Sequence, residues 1–267
     1  MSIPRSKYYY KPKKDSHKDF AILDKIKNIA LAFPSYGYRR ITAALRREGM
    51  IVNHKKVYRI MANNGICCSI RRSYKHTTNS NHDLAKYPNL VKDLISSRPD
   101  QVWHADITYI RFEVSFAYLA AIIDGFSRKV IGYAIAKTLS PALTIAALKD
   151  AIKSRDTADL IHHSDQGFQY CSSRYIEILK KNSILISMSD KANPYDNAKM
   201  ESFFRTLKVE EVHMGDYNTY EDVLFSIPYF IEEVYNRKRL HSSLGYMPPE
   251  EFEYKFNKNK SHQLVLN

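Results

Sequence analysis

The sequence predicts an α/β protein, a mixed sheet flanked by helices, preceded by a small all-α module of the helix-turn-helix kind. Three observations carry this. The charge is split: residues 1–80 hold 18 Lys and Arg against four acids (Asp15, Asp19, Asp24 and Glu48), a net +14, while the remainder balances 23 basic against 24 acidic residues. The hydrophobic period changes with the charge, from three- and four-residue steps before residue 70 to strand-like runs after residue 101. Between them lies a polar stretch centred on Thr77-Thr78-Asn79-Ser80-Asn81, with Pro88 and Pro99 nearby. Five segments follow: a basic flexible arm (1–16), the helical module (17–70), a linker (71–98), an α/β core (99–215) and a C-terminal helical extension (216–267).

In the helical module, Phe20, Leu23, Ile26, Ile29 and Ala30 recur at helical steps over residues 19–33, and Pro34-Ser35-Tyr36-Gly37 makes a turn. Ile41, Ala44 and Leu45 face inward in a second helix over residues 39–48, closed by Gly49. Asn53 is placed to cap a third, with Val57, Ile60 and Met61 inward until Gly65. Arg39, Arg40, Arg46, Arg47, Lys55, Lys56 and Arg59 fall off the core side, as in a helix-turn-helix that grips DNA. The plainer alternative is a helical domain with a solvated basic face.

In the core, Val102–Phe112 alternates and is rich in Ile, Thr and Tyr, residues 118–123 are apolar and end at Asp124-Gly125, and Val130–Ala136 is strand-like again. The short connections predict an antiparallel meander. A helix over residues 141–155, a strand over 159–163, a helix over 172–181 and a strand over 184–188 follow. A longer helix over 198–212 comes next, then one over 220–240 kinked or broken at Pro228. This order gives the mixed sheet.

Composition narrows the function. With 44% hydrophobic residues the chain can build cores, and its net +13 favours a polyanionic partner, nucleic acid foremost. The longest apolar run, residues 117–123, falls far short of the roughly 20 residues that span a bilayer, and no basic-then-apolar leader is visible. Cys67, Cys68 and Cys171 make no disulfide framework and lack the C-x2-C spacing of a zinc site, so a reducing, cytoplasmic setting without zinc is expected.

Three acids stand out. Asp106 lies mid-strand between Trp103-His104-Ala105 and Ile107-Thr108-Tyr109, where a carboxylate is costly unless paired or bound to a cation. Asp165 closes a strand in His162-His163-Ser164-Asp165-Gln166-Gly167, at the kind of strand end where α/β active sites collect. Glu201 lies early in its helix; Phe203 and Leu207 sit about 200° and 240° around from it, and Arg205 and Lys208 lie on its own face. Converging carboxylates repel one another, and two Mg²⁺ ions resolve that repulsion while activating an in-line displacement at phosphorus. Arg205 and Lys208 would grip the phosphate backbone. Taken singly, each acid reads equally as a surface residue or an N-cap.

The motifs Trp103-x-x-Asp106-Ile107-Thr108-Tyr109, His163-Ser164-Asp165-Gln166-Gly167-x-Gln169-Tyr170 and Asn193-Pro194-Tyr195-Asp196-Asn197-Ala198-x-x-Glu201-Ser202-x-Phe204-x-x-Leu207-Lys208 resemble DDE transposases of the insertion-sequence-three type, in their second reading frame, OrfB. The 35 residues between Asp165 and Glu201 are that family's spacing, and Lys208 is the expected basic residue two turns after the Glu. Tyr8-Tyr9-Tyr10, Tyr36-Gly37-Tyr38-Arg39-Arg40-Ile41 and Tyr235-Asn236-x-x-Arg239-x-His241-x-x-Leu244-Gly245-Tyr246-x-Pro248-Pro249 extend the likeness over nearly the whole chain; Ala192 stands where the family usually has Gly. The resemblance implies a ribonuclease-H-like, integrase-type core that uses Mg²⁺ or Mn²⁺, two ions per site, held by Asp106, Asp165 and Glu201. It implies cleavage and joining of DNA at terminal inverted repeats and in target DNA, by subunits assembled as a homo-oligomer on paired ends. It also implies an upstream partner, the OrfA product, joined by a frameshift. A nuclease that cuts without joining and a non-catalytic DNA-binding regulator are the competing readings.

Other residues have two readings each. His162 and His163 are proton carriers or DNA contacts, or they pack and hydrogen-bond locally. Asp124 is an extra acid or a turn cap. Asn197 contacts DNA or positions its loop, or caps the Glu201 helix.

Overall fold

The computed structural model describes residues 16–68, 85–189 and 197–265. Residues 1–15, 69–84, 190–196 (with Ala192 and Asn193-Pro194-Tyr195-Asp196) and 266–267 lie outside the described residues. The chain divides into two compact units, Met1–Ser69 and Ile70–Asn267.

The first unit holds three helices, α1 (Ser16–Ala32), α2 (Tyr38–Arg47) and α3 (His54–Asn63). Its core is Ile22, Ile26 and Ile29 from α1, Tyr36 from the turn, Ile41 and Leu45 from α2, and Val57, Ile60 and Met61 from α3. The inward stripe of α1 runs through Ile22, not Phe20, which is exposed: Ile22, Ile26 and Ile29 keep the four- and three-residue steps that close on the other helices. Phe33 stacks on Tyr36 at 4.5 Å between centroids, fixing the first turn. Gly49 and Gly65 end α2 and α3 with φ of 84° and 66°, the left-handed closure that favours glycine. Asn53 caps α3, its Oδ1 accepting the Lys55 N–H at 2.9 Å.

The second unit is built on five strands, β1 (Val102–Phe112), β2 (Ser115–Asp124), β3 (Val130–Ala136), β4 (Ile161–Ser164) and β5 (Leu185–Met188), in the order β3-β2-β1-β4-β5. The first three form the antiparallel meander, while β4 pairs parallel to β1 and β5 parallel to β4. This mixed sheet is the ribonuclease-H-like arrangement. One face carries α4 (Pro141–Ser154), the one-turn α5 (Phe168–Cys171) and α6 (Ser173–Lys181) over Trp103, Ala105, Ala120 and Ile122. The other carries α7 (Ala198–Leu207) and α8 (Tyr220–Tyr229) over Ile110, Leu119, Ala121 and Ile123. Strand alternation divides β1 between these two cores.

Two elements depart from the sequence reading. The helix from residue 198 stays α-helical to Leu207 and then widens into a π-helical turn, Lys208–Val212. Pro228 does not end its helix: the chain runs on into a π-helical stretch, Phe230–Asn236, where a wider ladder follows the missing proline N–H. That stretch delivers Asn236 to the edge of β3, where its amide donates to Val130 O at 2.9 Å and accepts the Val130 N–H at 3.0 Å. The C-terminal helix α9 (Pro249–Val265) returns to the sheet through Glu253, bonded to Ser127 and Arg155. Among the described residues no helix is long and apolar enough to cross a membrane.

Candidate active site

The register of the sheet brings two of the three acids together. His104 of β1 pairs with His163 of β4 in parallel, and Asp106 and Asp165 each follow two residues later. They therefore stand on the same face of adjacent strands, which run about 4.8 Å apart. Asp106 Oδ1 accepts its neighbour's Ile107 N–H at 2.7 Å, and Asp165 Oδ1 accepts the Gly167 N–H at 2.9 Å. Burial, and then the Asp165 charge, push the Asp106 carboxyl up to about 7, against the pull of the Ile107 N–H and Lys208.

Glu201 stands apart from this pair. It is exposed in the first turn of α7, and among the described residues no three His, Cys, Asp or Glu side chains cluster as a metal site. Its helix is nonetheless aimed at the pair. Asn197, one turn before Glu201, donates from Nδ2 to Asp106 Oδ2 at 3.1 Å, and Lys208, two turns after it, is close enough to feel the Asp106 charge. Positions 197, 201 and 208 share one helical face, so Glu201 is bracketed by two side chains that reach Asp106. Burial lowers the Lys208 ammonium, Asp106 opposes that shift, and Nζ lies 4.5 Å from the centroid of the Tyr109 ring. Arg205 is exposed on the same helix.

Other residues around the acids were given no role in the sequence reading. Tyr170 is buried, its hydroxyl has no partner among the described residues, and both Asp106 and Asp165 act on it. Lys199 Nζ lies 3.2 Å from His104 Nε2, and His104 meets His163 edge to face at 5.5 Å. Burial, then Lys199 and His163, hold His104 well below the usual histidine range. The signal for His104 was its position two residues before Asp106, on the same face of the strand; Lys199 left no signal, because a lysine early in a helix reads as solvated.

His162 and His163 are both buried and bonded locally, to the Tyr175 hydroxyl and the Ser187 hydroxyl, each at 2.9 Å. Neither is offered to DNA. Asp124 is a turn cap: Oδ1 accepts the Phe126 and Ser127 N–H groups and Oδ2 that of Asp100. Asn197 occupies the N-cap position of α7 without making the side-chain capping bond, because its amide goes to Asp106. In the helical unit, Arg39 and Lys55 are exposed, Arg39 beside the Tyr38 ring, and half-buried Arg40 lies over Tyr36. Lys56 and Arg59 are tied to Asp19 at 2.5 and 3.3 Å, so part of their charge is already matched within the unit.

The donor set fits a hard divalent cation in part. Two repelling, desolvated carboxylates offer oxygens that such an ion prefers, and the orphaned Tyr170 hydroxyl and Asn197 Oδ1 are buried polar groups that an ion's water shell would satisfy. Asp106 and Asp165 stand side by side, while Glu201 is exposed and is not gathered with them.

Comparison with known proteins agrees with this geometry. Residues 17–74 match the HTH-like domain family, and residues 96–194 and 182–249 match two integrase core domain families. The chain is 37% identical to the 31 kDa protein of insertion element IS600 from Shigella sonnei, over 96% of this chain and 97% of that one. It is 39% identical to the transposase for IS904 from Lactococcus lactis, over 83% and 88%, and 37% identical to transposase InsF for IS3A from Escherichia coli, over 82% and 77%. Among solved structures, the cryo-EM simian T-cell lymphotropic virus intasome in complex with PP2A regulatory subunit B56 gamma shares the fold, with a TM-score of 0.51 at 16% identity over 79% of this chain and 70% of that one. With its helix-turn-helix-like module, integrase core and full-length relatives, the chain belongs to the family of insertion-sequence transposases of the IS3 type.

Proposed function

We propose that this transposase cuts DNA at the terminal inverted repeats of a bacterial insertion sequence and joins the freed ends to target DNA, with Asp106, Asp165 and Glu201 as its catalytic, metal-holding residues. The observation that carries the assignment is the pairing of His104 with His163, which sets Asp106 beside Asp165, together with the bracketing of Glu201 by Asn197 and Lys208. Two Mg²⁺ or Mn²⁺ ions held there would stabilise the attacking and leaving oxygens of an in-line displacement at phosphorus. The chain's own residues do the rest. Asp106, whose carboxyl proton burial and Asp165 favour, would release it to solvent on taking an ion, and Glu201 would complete the set from α7. Lys208, steadied against Tyr109, orients the phosphate backbone, with Arg205 beside it. Arg39, Arg40 and Lys55, and in lesser measure Lys56 and Arg59, anchor flanking duplex. The working form is a homo-oligomer on paired ends, in the bacterial cytoplasm, joined to the OrfA product by a frameshift.

The test incubates the purified chain, alone and fused to its upstream partner, with labelled element-end DNA and Mg²⁺. Nicked and strand-transferred products are expected. Asp106→Asn and Glu201→Gln should each lower both by at least about 10²-fold, the scale of losing one preorganised electrostatic contributor, while DNA binding persists. Wild-type activity in either variant would refute the triad. Cleavage without joining would identify a nuclease, and binding without any metal-dependent product a regulator.

A further inference from the structure

We propose that Asn197 is a positioning residue, not a DNA contact: its amide holds Asp106 in place and, with Lys199, clamps the first turn of the Glu201 helix onto β1. The inference rests on the triad reading above and deepens it. An asparagine at an N-cap ordinarily accepts a backbone N–H of its own helix. Asn197 does not; its Nδ2 donates to Asp106 Oδ2 at 3.1 Å, and its Oδ1 is buried without a partner among the described residues. Two residues on, Lys199 Nζ lies 3.2 Å from His104 Nε2. Residues 197 and 199 of α7 thus engage residues 106 and 104 of β1, a two-point attachment that fixes both the position and the rotation of the helix's first turn. Gly125 leaves room for it, since a Cβ there would come within 3.1 Å of Lys199 Nζ.

The attachment matters because Glu201 is exposed and not gathered with the two aspartates. One turn separates it from Asn197, a rise of about 6 Å. Where Asn197 is held therefore sets how far the Glu201 carboxylate must travel to complete the site. Losing a group that orients a metal-holding carboxylate typically costs ten- to a hundredfold in metal affinity.

The experiment uses the full chain and Mn²⁺ as the probe. Mn²⁺ affinity is measured by calorimetry without DNA, DNA affinity is measured in EDTA, and cleavage kinetics are separated into kcat and KM. Asn197→Ser is too short to reach Asp106 but can cap the helix, and Asn197→Ala can do neither. Both variants should weaken Mn²⁺ binding about tenfold or more and lower kcat, with KM for DNA and DNA affinity in EDTA unchanged. Wild-type Mn²⁺ affinity in Asn197→Ser, or weakened DNA binding with normal Mn²⁺ binding, would overturn the proposal. Asp106→Asn separates the two readings: if it abolishes Mn²⁺ binding while Asn197→Ser does not, only the tether fails. If Asp106→Asn binds Mn²⁺ normally, the triad itself fails.

Discussion

Gly132 and His162 show how single side chains set the tolerance of this core. At Gly132, β3 and α4 approach so closely that a Cβ would lie 2.5 Å from Ala147 O and 2.6 Å from Ala151 N, both backbone atoms that cannot swing aside. Gly132→Ala should cost about 2–3 kcal/mol, the scale of overpacking a filled core, read as a lower denaturant midpoint with an unchanged m-value. His162 is wholly buried against Tyr175, and burial, then the neighbouring His163, lower its pKa to about 3. The folded value lies below the unfolded one of about 6.5, so the unfolded chain takes up a proton at this site as pH falls and the folded chain does not. Stability from this site is therefore intact above pH of about 6.5 and declines towards pH 3, by at most about 1.4 kcal/mol per pH unit. Denaturation series between pH 7 and 5 should show a shallower decline in His162→Gln than in the wild type. Parallel declines would mean that His162 titrates normally in the folded state.

At the scale of elements, the C-terminal helix α9 carries a buried ionic cluster and a more exposed pair, besides the packing of Phe252 and Phe256 on Phe126, and the two ionic contacts should differ sharply when cut. Glu253 is buried and meets Arg155 and Ser127, while Arg155 also pairs with Asp100 at 3.0 Å. Glu253→Ala strands part of a buried guanidinium and should cost about 3 kcal/mol, the low end for a broken buried pair because Asp100 remains. Lys255→Ala removes the exposed partner of Glu251 on the same helix and a contact to Met247 Sδ, and should cost under about 1 kcal/mol. Equal losses in thermal melts would show that α9 is not docked through Glu253. Local pattern made most elements legible: the alternation of β1, the Asn53 cap and the glycine closures all act within a few residues. Long-range pairing did not. Nothing in residues 102–165 alone states that β1 pairs with β4 in parallel, yet that register alone makes Asp106 and Asp165 neighbours. The π-helical stretch Phe230–Asn236 escaped for a related reason, since it answers to Pro228 and to the packing that Asn236 must reach. Spacing from Asp165 singled out Glu201 as a candidate, but its exposure depends on the approach of α7 to β1, which sequence does not state.

Over the whole molecule, the division of charge becomes a statement about how DNA is held. The +14 of residues 1–80 points to a basic patch that grips DNA. The helical unit shows that its lysines and arginines are not equivalent, because Asp19 already pairs with Lys56 and Arg59 while Arg39 and Lys55 stand exposed with no such carboxylate partner among the described residues. A cation that meets a phosphate releases a counterion and adds about 0.9 to the slope of log affinity against log salt on duplex DNA. A cation shared with Asp19 releases less, since its field is partly cancelled before DNA arrives. In the full chain on nonspecific duplex, Arg39→Gln with Lys55→Gln should reduce the slope by roughly 1.8, and Lys56→Gln with Arg59→Gln by clearly less. Removing residues 1–80 should abolish most of the salt dependence, because the remaining chain is nearly neutral. Fluorescence anisotropy between about 50 and 200 mM salt covers the range in which such slopes are well defined. An unchanged slope in the Arg39–Lys55 double variant would place the phosphate contacts elsewhere. Equal reductions in the two double variants would show that the Asp19 pairs open on DNA, making Asp19 a gate on the unit's grip rather than a fixed strut.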